Sequence, residues 1–212
     1  RGEPDNASNY TLSCARKWGM HLVFVDRKTY RLRNNADYLK ELAQQYPNFF
    51  IVPEGGSNEL ALPGVAEICQ ELAEQTNYDT LITPVGSAGT LSGLIIGDNN
   101  QHQLLGIAVL KQANYLNDEV KALIKAQGAY NNWQILTEFH RGGYAKFTAS
   151  DVAELKAFSQ ETGVPCEPIY SGKMILALLE LIKQNTFAAG HKIVLLHTGG
   201  LQGLYGLAEQ NR

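Results

Sequence analysis

The sequence predicts an α/β protein with a mainly parallel, twisted sheet covered by helices on both faces, and three observations carry that expectation. Short apolar runs of strand length alternate with segments whose apolar residues recur at helical spacing. Strands separated by helices join in parallel through crossovers, which place helices on both sides of the sheet. Three glycine-rich loops, PEGGSN (Pro53 to Asn58), GSAGT (Gly86 to Thr90) and HTGGLQG (His197 to Gly203), each follow a strand-like run. Ligands of such sheets bind beyond the C-terminal ends of the strands.

Taken in order, Tyr10 to Trp18 reads as a helix, His21 to Val25 as a strand, Ala36 to Tyr46 as a helix and Phe49 to Val52 as a strand. These form a small βα layer. Pro53 to Pro63, with Gly55 and Gly56, interrupts the pattern, so residues 1–52 are expected to belong to a smaller α/β domain and 53–212 to a larger one. A second series follows: helix Gly64 to Gln75, strand Thr80 to Val85, helix Leu91 to Gly97, strand Gln103 to Val109 and helix Asn117 to Gln127. After a polar connection come helix Ala149 to Gly163, helix Lys173 to Asn185 and strand Lys192 to His197. There is no internal repeat and no low-complexity segment.

Composition narrows the function classes. With 212 residues, 44% hydrophobic and 18% charged, the chain can bury a sizeable core. A net charge of −3 and a pI near 6.0 make no electrostatic case for nucleic acid or for an anionic membrane. No apolar run reaches ~18 residues, so a soluble, cytoplasmic protein is expected. Cys14, Cys69 and Cys166 lie far apart without CxxC spacing, which reads as reduced cysteines rather than a disulfide or metal site. The chain opens RGEP without methionine, and arginine followed by glycine reads as the end of a strand entering a loop, so a truncated chain is expected.

The run ITPVGSAGTLSGL (Ile82 to Leu94) carries the most chemistry. A strand ended by Pro84 and Gly86 meets a helix marked by Leu91, Leu94 and Ile95, so the turn sits at a helix N-terminus. Gly86 and Gly89 are expected to adopt positive φ and to let the backbone approach a ligand. Ser87 and Thr90 add hydroxyls, and free N–H groups face the same point as the positive end of the helix dipole. That is a phosphate cradle without a lysine. It matches neither GxxxxGK[ST] nor GxGxxG followed by an acidic residue. The same residues also suit a strand-to-helix turn that holds no ligand.

Five motifs, VPEGGSN, VGSAGTLSGL, GGY (Gly142 to Tyr144), EPIYSGK (Glu167 to Lys173) and LLHTGGLQGLYGL (Leu195 to Leu207), stand in this order along nearly the whole chain. Together they resemble the D-cysteine desulfhydrase and 1-aminocyclopropane-1-carboxylate deaminase family. These are pyridoxal-phosphate enzymes of the tryptophan-synthase-β type of fold. The resemblance implies pyridoxal 5'-phosphate as cofactor, a large cofactor domain, a smaller mobile domain, a homodimer and a small amino-acid substrate. It also implies that the lysine binding the cofactor covalently lies before the position matching Arg1. Lys173 matches a different lysine of the family, so this chain alone is expected to be inactive.

By the same resemblance Gly86, Ser87, Ala88, Gly89 and Thr90 bind the cofactor phosphate. Thr198 offers its hydroxyl to the pyridine nitrogen, and Tyr170 and Tyr144 are the candidate catalytic tyrosines. A phenol with a depressed pKa near a positive centre can accept a proton, while buried aromatic packing is the alternative for each tyrosine. The deaminases resemble PVYEGK where this chain reads PIYSGK, so Ser171 stands in place of a glutamate facing the ring and the carboxylate is lost. That departure favours β-elimination from D-cysteine, giving pyruvate, sulfide and ammonia, over cyclopropane ring opening. A deaminase and a non-catalytic phosphate- or small-molecule-binding module remain open. His140 and His197 lack a second ligand at HxxxH or HxH spacing and read as structural. Glu54, beside two glycines, reads as a loop carboxylate meeting backbone N–H groups.

Overall fold

The computed structural model describes residues 9–125 and 128–204. The chain divides into two compact units, with the boundary between Gly56 and Ser57 and with Leu204 joined to the first unit.

The first unit is helical. Its helices α1 (Tyr10–Lys17), α2 (Arg27–Arg31) and α3 (Ala36–Gln45) each start on a side chain that accepts from the first turn. Those caps are Asn9, Asp26 and Asn35. The strands expected at His21 to Val25 and Phe49 to Val52 do not form. A strand holds only when a ladder pairs its N–H and C=O groups, and neither short run is paired with a strand among the described residues. Glu54 accepts from the Tyr30 hydroxyl and, at 2.6 Å, from Arg33 Nε, so side chains take part in holding this loop carboxylate.

The second unit, Ser57–Gly203, carries the sheet. Strands β1 (Thr80–Val85), β2 (Gln103–Ala108), β3 (Trp133–Leu136) and β4 (Ile193–Leu195) are all parallel, in the order β3-β2-β1-β4. Thr80 is in register with Gln103 on one side and Ile193 on the other. Helices α4 (Leu62–Gln75), α5 (Gly89–Asp98) and α6 (Tyr115–Ile124) cover one face, where Leu81 and Val85 pack with Cys69, Leu91, Leu94, Leu116 and Val120. Helices α7 (Ala149–Thr162) and α8 (Ser171–Lys183) cover the other, where Ile82, Leu105 and Ile107 pack with Leu155, Met174 and Ile175. Alternate residues of β1 therefore serve two cores, which is why it reads as a continuous apolar run. Helices α4 and α5 pack closely because a Cβ at Gly93 would stand 2.4 Å from Val65, and one at Gly97 2.5 Å from the Ala66 carbonyl oxygen.

Two details differ from expectation. The polar connection contains β3, a short edge strand, and the loop PEGGSN does not follow a strand. No helix among the described residues is long and apolar enough to cross a membrane.

Candidate functional site

From β1 the chain steps outward to β2 and β3, whereas β4 pairs on its other side. The loops leaving β1 and β4, neighbouring parallel strands, therefore both lie at the C-terminal edge of the sheet, where ligands of such sheets bind. GSAGT leaves β1 and HTGG leaves β4.

GSAGT turns directly into α5, whose first residue is Gly89. Neither Gly86 nor Gly89 adopts positive φ, contrary to expectation. Both are glycine because neighbours press on them. A Cβ at Gly86 would lie 2.9 Å from Tyr170 Cε2, and one at Gly89 2.6 Å from Ser57 Oγ. Ser57 itself accepts from the Gly89 N–H at 3.0 Å and donates to Ser87 Oγ at 2.8 Å. It closes one side of the cradle from 32 residues away. No acceptor among the described residues is assigned to the N–H groups of Ser87, Ala88 or Thr90. These lie where a helix leaves donors unpaired and its dipole is positive.

The start of α8 adjoins this turn, through Tyr170 against Gly86. Glu167, fully buried, accepts at Oε2 from Ile169 N–H at 2.6 Å and at Oε1 from Ser171 N–H at 2.5 Å, with Tyr170 N–H shared between them. Ser171 Oγ lies 3.0 Å from Glu167 Oε1 and 2.7 Å from the Gly199 carbonyl oxygen. Position 171 lacks the carboxylate, but another, Glu167, stands beside it from four residues earlier, ahead of the helix. Gly172 must be glycine, since a Cβ there would fall 2.1 Å from the Glu167 carbonyl oxygen.

Tyr170 lies over Gly86, its hydroxyl 3.4 Å from the Pro84 carbonyl oxygen. Burial raises its pKa, the Gly86 N–H opposes that rise, and the charges of Glu167 and Tyr144 add to it. The expected depressed phenol pKa is thus reversed in the protein alone, because desolvation of a phenolate outweighs one N–H donor. Tyr144 is exposed, on a loop where Gly142 and Gly143 have φ of +91° and +116°.

Thr198 is exposed on the β4 loop, whose Gly199 carbonyl docks on Ser171 and whose Gly200 abuts Glu167 Oε1. His140 and His197 each accept at Nδ1 from the N–H two residues ahead, at Gly142 and Gly199. Both therefore shape loops. Buried Lys173 donates to three backbone carbonyls.

The structure brings Gly86 against Tyr170, and Ser171 with Glu167 against the loop that carries Thr198, while Tyr144 is exposed on its own loop. Two contributors carry no role in the sequence reading, Ser57 and Glu167. Glu167 has a local signature: a carboxylate followed by proline and then a helix start suits an acceptor for N–H groups two to four residues ahead. Ser57 has none, since its partner is distant in sequence.

Comparison with known proteins gives concordant results. A Pyrococcus furiosus protein provisionally named 1-aminocyclopropane-1-carboxylate deaminase is 29% identical over 97% of this chain and 66% of its own length. A mitochondrial Arabidopsis thaliana protein, named as a bifunctional D-cysteine desulfhydrase and 1-aminocyclopropane-1-carboxylate deaminase, is 32% identical over 76% of this chain and 44% of its own. The chain thus spans less than two thirds of these relatives. The crystal structure of an ACC deaminase homologue shares the fold with a TM-score of 0.78 at 23% identity, over 93% of this chain and 64% of that one. Residues 3–199 match the family described as pyridoxal-phosphate dependent enzymes, and the chain belongs to that family.

Proposed function

We propose that the protein containing this chain is a pyridoxal-phosphate lyase that removes a β-substituent from a small amino acid, with D-cysteine the substrate and pyruvate, sulfide and ammonia the products. The observation that supports this reading is the turn Gly86 to Thr90, whose Ser87, Ala88 and Thr90 N–H groups at the start of α5 have no acceptor among the described residues and which lies against Tyr170 before α8. Its residues fit the cofactor. Unpaired N–H groups at a positive helix end suit a phosphate dianion, and Gly86 and Gly89 let Tyr170 and Ser57 close in on the turn. When bound, the cofactor supplies an electron sink for charge developed at the substrate α-carbon.

The chain's own residues divide the remaining work. Thr198 offers a neutral hydroxyl, which stabilises an unprotonated ring nitrogen where a carboxylate would favour a protonated one. Tyr170, its pKa raised, keeps its proton at neutral pH and acts as a donor that orients the substrate. Tyr144, exposed, is the phenol that solvent and substrate can reach.

One observation supports the deaminase as a second reading. The Glu167 carboxylate against Ser171 Oγ means that the surroundings of position 171 are not free of negative charge. Assays on the full-length protein with added pyridoxal phosphate separate the two. Sulfide release from D-cysteine is expected. Ammonia and 2-oxobutanoate from 1-aminocyclopropane-1-carboxylate without sulfide from D-cysteine would replace the lyase by the deaminase. A homodimer and a cytoplasmic location accompany this reading through the family resemblance, and sizing chromatography and cell fractionation test them.

A further inference from the structure

Lys173 lies in the first turn of α8 with no exposed surface. Its Nζ donates to the carbonyl oxygens of Val109 at 3.2 Å, His140 at 2.9 Å and Gly143. No carboxylate among the described residues forms an ion pair with it. Burying an ammonium without a counter-charge is costly, and methionine would fill a similar volume without that cost. What an ammonium adds is three N–H groups aimed from one point. All three end on backbone carbonyls, in two segments distant from Lys173 in sequence.

Those segments are informative. Val109 directly follows β2, and its N–H is bonded to the Val85 carbonyl at the end of β1. His140 and Gly143 bound the turn that leads into Tyr144. In that turn Arg141, Gly142, Gly143 and Ala145 have φ of +53°, +91°, +116° and +55°. Two of these four are not glycine, a conformation that persists only where surroundings hold it. Its local bonds run from Gly142 N–H to His140 Nδ1, from Gly143 N–H to His140 O and from Lys146 N–H to Gly143 O. None of them fixes the turn to the sheet. On the sheet side, Lys173 alone bonds both the turn and the end of β2.

We propose that Lys173 is the positioning residue of Tyr144: its ammonium fastens the 140–143 turn to the C-terminal end of β2 and so sets where the Tyr144 phenol stands. The placement of the turn is independent of the proposed activity, whereas its consequence for turnover rests on that reading. The charged groups near the clamp are Asp151 on α7, Glu167 before α8, and Arg141, which bonds Glu180 at 2.9 Å. They surround the turn without replacing the ammonium's three bonds.

Hydrogen exchange on the full-length protein tests the placement. In Lys173→Met, amides of residues 140–146 are expected to exchange at least about tenfold faster, while peptides from β1 and α5 keep their protection. In Lys173→Ala, methylammonium is expected to restore protection and tetramethylammonium to leave it lost, since only the former carries N–H donors into the cage. Unchanged protection in Lys173→Met, or equal acceleration throughout the unit, would overturn the proposal. If either variant is recovered unfolded, the same two salts are added during refolding. Recovery with methylammonium alone supports the clamp, and an equal response to both overturns it. For turnover, the double variant Lys173→Met with Tyr144→Phe is expected to be no slower than the slower single variant, because both remove one placement. Additive losses would mean that Lys173 acts on catalysis by another route. That result leaves the exchange result to stand or fall separately.

Discussion

Glu167→Gln is the perturbation whose cost the geometry defines best. The carboxylate is fully buried and serves three backbone N–H groups, with Ser171 Oγ 3.0 Å from Oε1. A glutamine that keeps its oxygen at the Oε1 position retains the Ser171 donors but turns an NH2 group towards the Ile169 N–H. One hydrogen bond is lost and the others become neutral, each weaker by roughly 1 kcal/mol than a bond to a charged acceptor. The favourable meeting of a negative charge with the start of α8 disappears as well, worth roughly 0.3–1 kcal/mol. Against these stands the lower cost of burying a neutral amide. The net expectation is a loss of about 2–4 kcal/mol. With a urea slope of about 2–3 kcal/mol/M for a chain of this size, the unfolding midpoint should fall by roughly 1 M. Urea titration followed by far-ultraviolet circular dichroism measures it. A midpoint unchanged within about 0.2 M would refute the assignment of Glu167 as the acceptor that organises this helix start.

Three further predictions concern the same region. Gly89→Ala drives a Cβ to 2.6 Å from Ser57 Oγ, so the cradle must open; cofactor affinity, read by fluorescence titration, should fall at least about tenfold, with a stability loss of about 1–3 kcal/mol. Burial lowers the Lys173 pKa from 10.5 to about 8, so between those values the unfolded chain binds more protons and this group's contribution to stability rises with pH, being lost as pH falls through about 8. Lys173→Met should therefore flatten the dependence of the urea midpoint on pH between 8 and 10, and an unchanged slope would show that the amine is not desolvated. Ser171→Glu would set a second carboxylate beside Glu167 Oε1 in a site without solvent, so one of the pair must hold a proton. Its midpoint should fall at pH 7 and partly recover at pH 5, and equal midpoints at both would mean that the new side chain escapes the site.

Legibility in the sequence followed the range of the interactions. Helix α3 lies within one residue of its expected bounds because Asn35 caps its start locally, and α7 ends where Gly163 takes up left-handed φ. The five-residue α2, by contrast, shows only Asp26 as its start signal. β3 is four residues long, and Asn131, Asn132 and Gln134 around it read as a connection; pairing with β2 makes it a strand. The runs at 21–25 and 49–52 show the reverse case, with β-forming residues and no pairing. In the GSAGT turn, the free N–H groups at a helix start were legible because they belong to consecutive residues, while the reason for the glycines was not. Tyr170 and Ser57 press on them from distant positions, and side-chain approach leaves no mark in the loop's own sequence.

The starts of α5 and α8 differ in a way that bears on the proposed anion site. In a parallel sheet, α5 follows β1 and starts at the C-terminal edge. α8 starts at the same edge, since Lys173 near its start reaches Val109 beyond β2, while Leu181 near its end lies with Gln103 at the other edge. Two positive helix ends therefore lie at the same edge of the sheet. The chain supplies its own anion to one of them, as Glu167 takes up the first N–H groups of α8. To α5 it supplies only the neutral hydroxyl of Ser57 on a single N–H, leaving Ser87, Ala88 and Thr90 unmatched by a charge. An end so left is unfavourable to bury and favourable to fill with phosphate. The difference between these ends, rather than glycine content, favours α5 over α8 for the anion of the proposed function. HTGG has as many glycines as GSAGT, but it opens no helix comparable to α5 among the described residues.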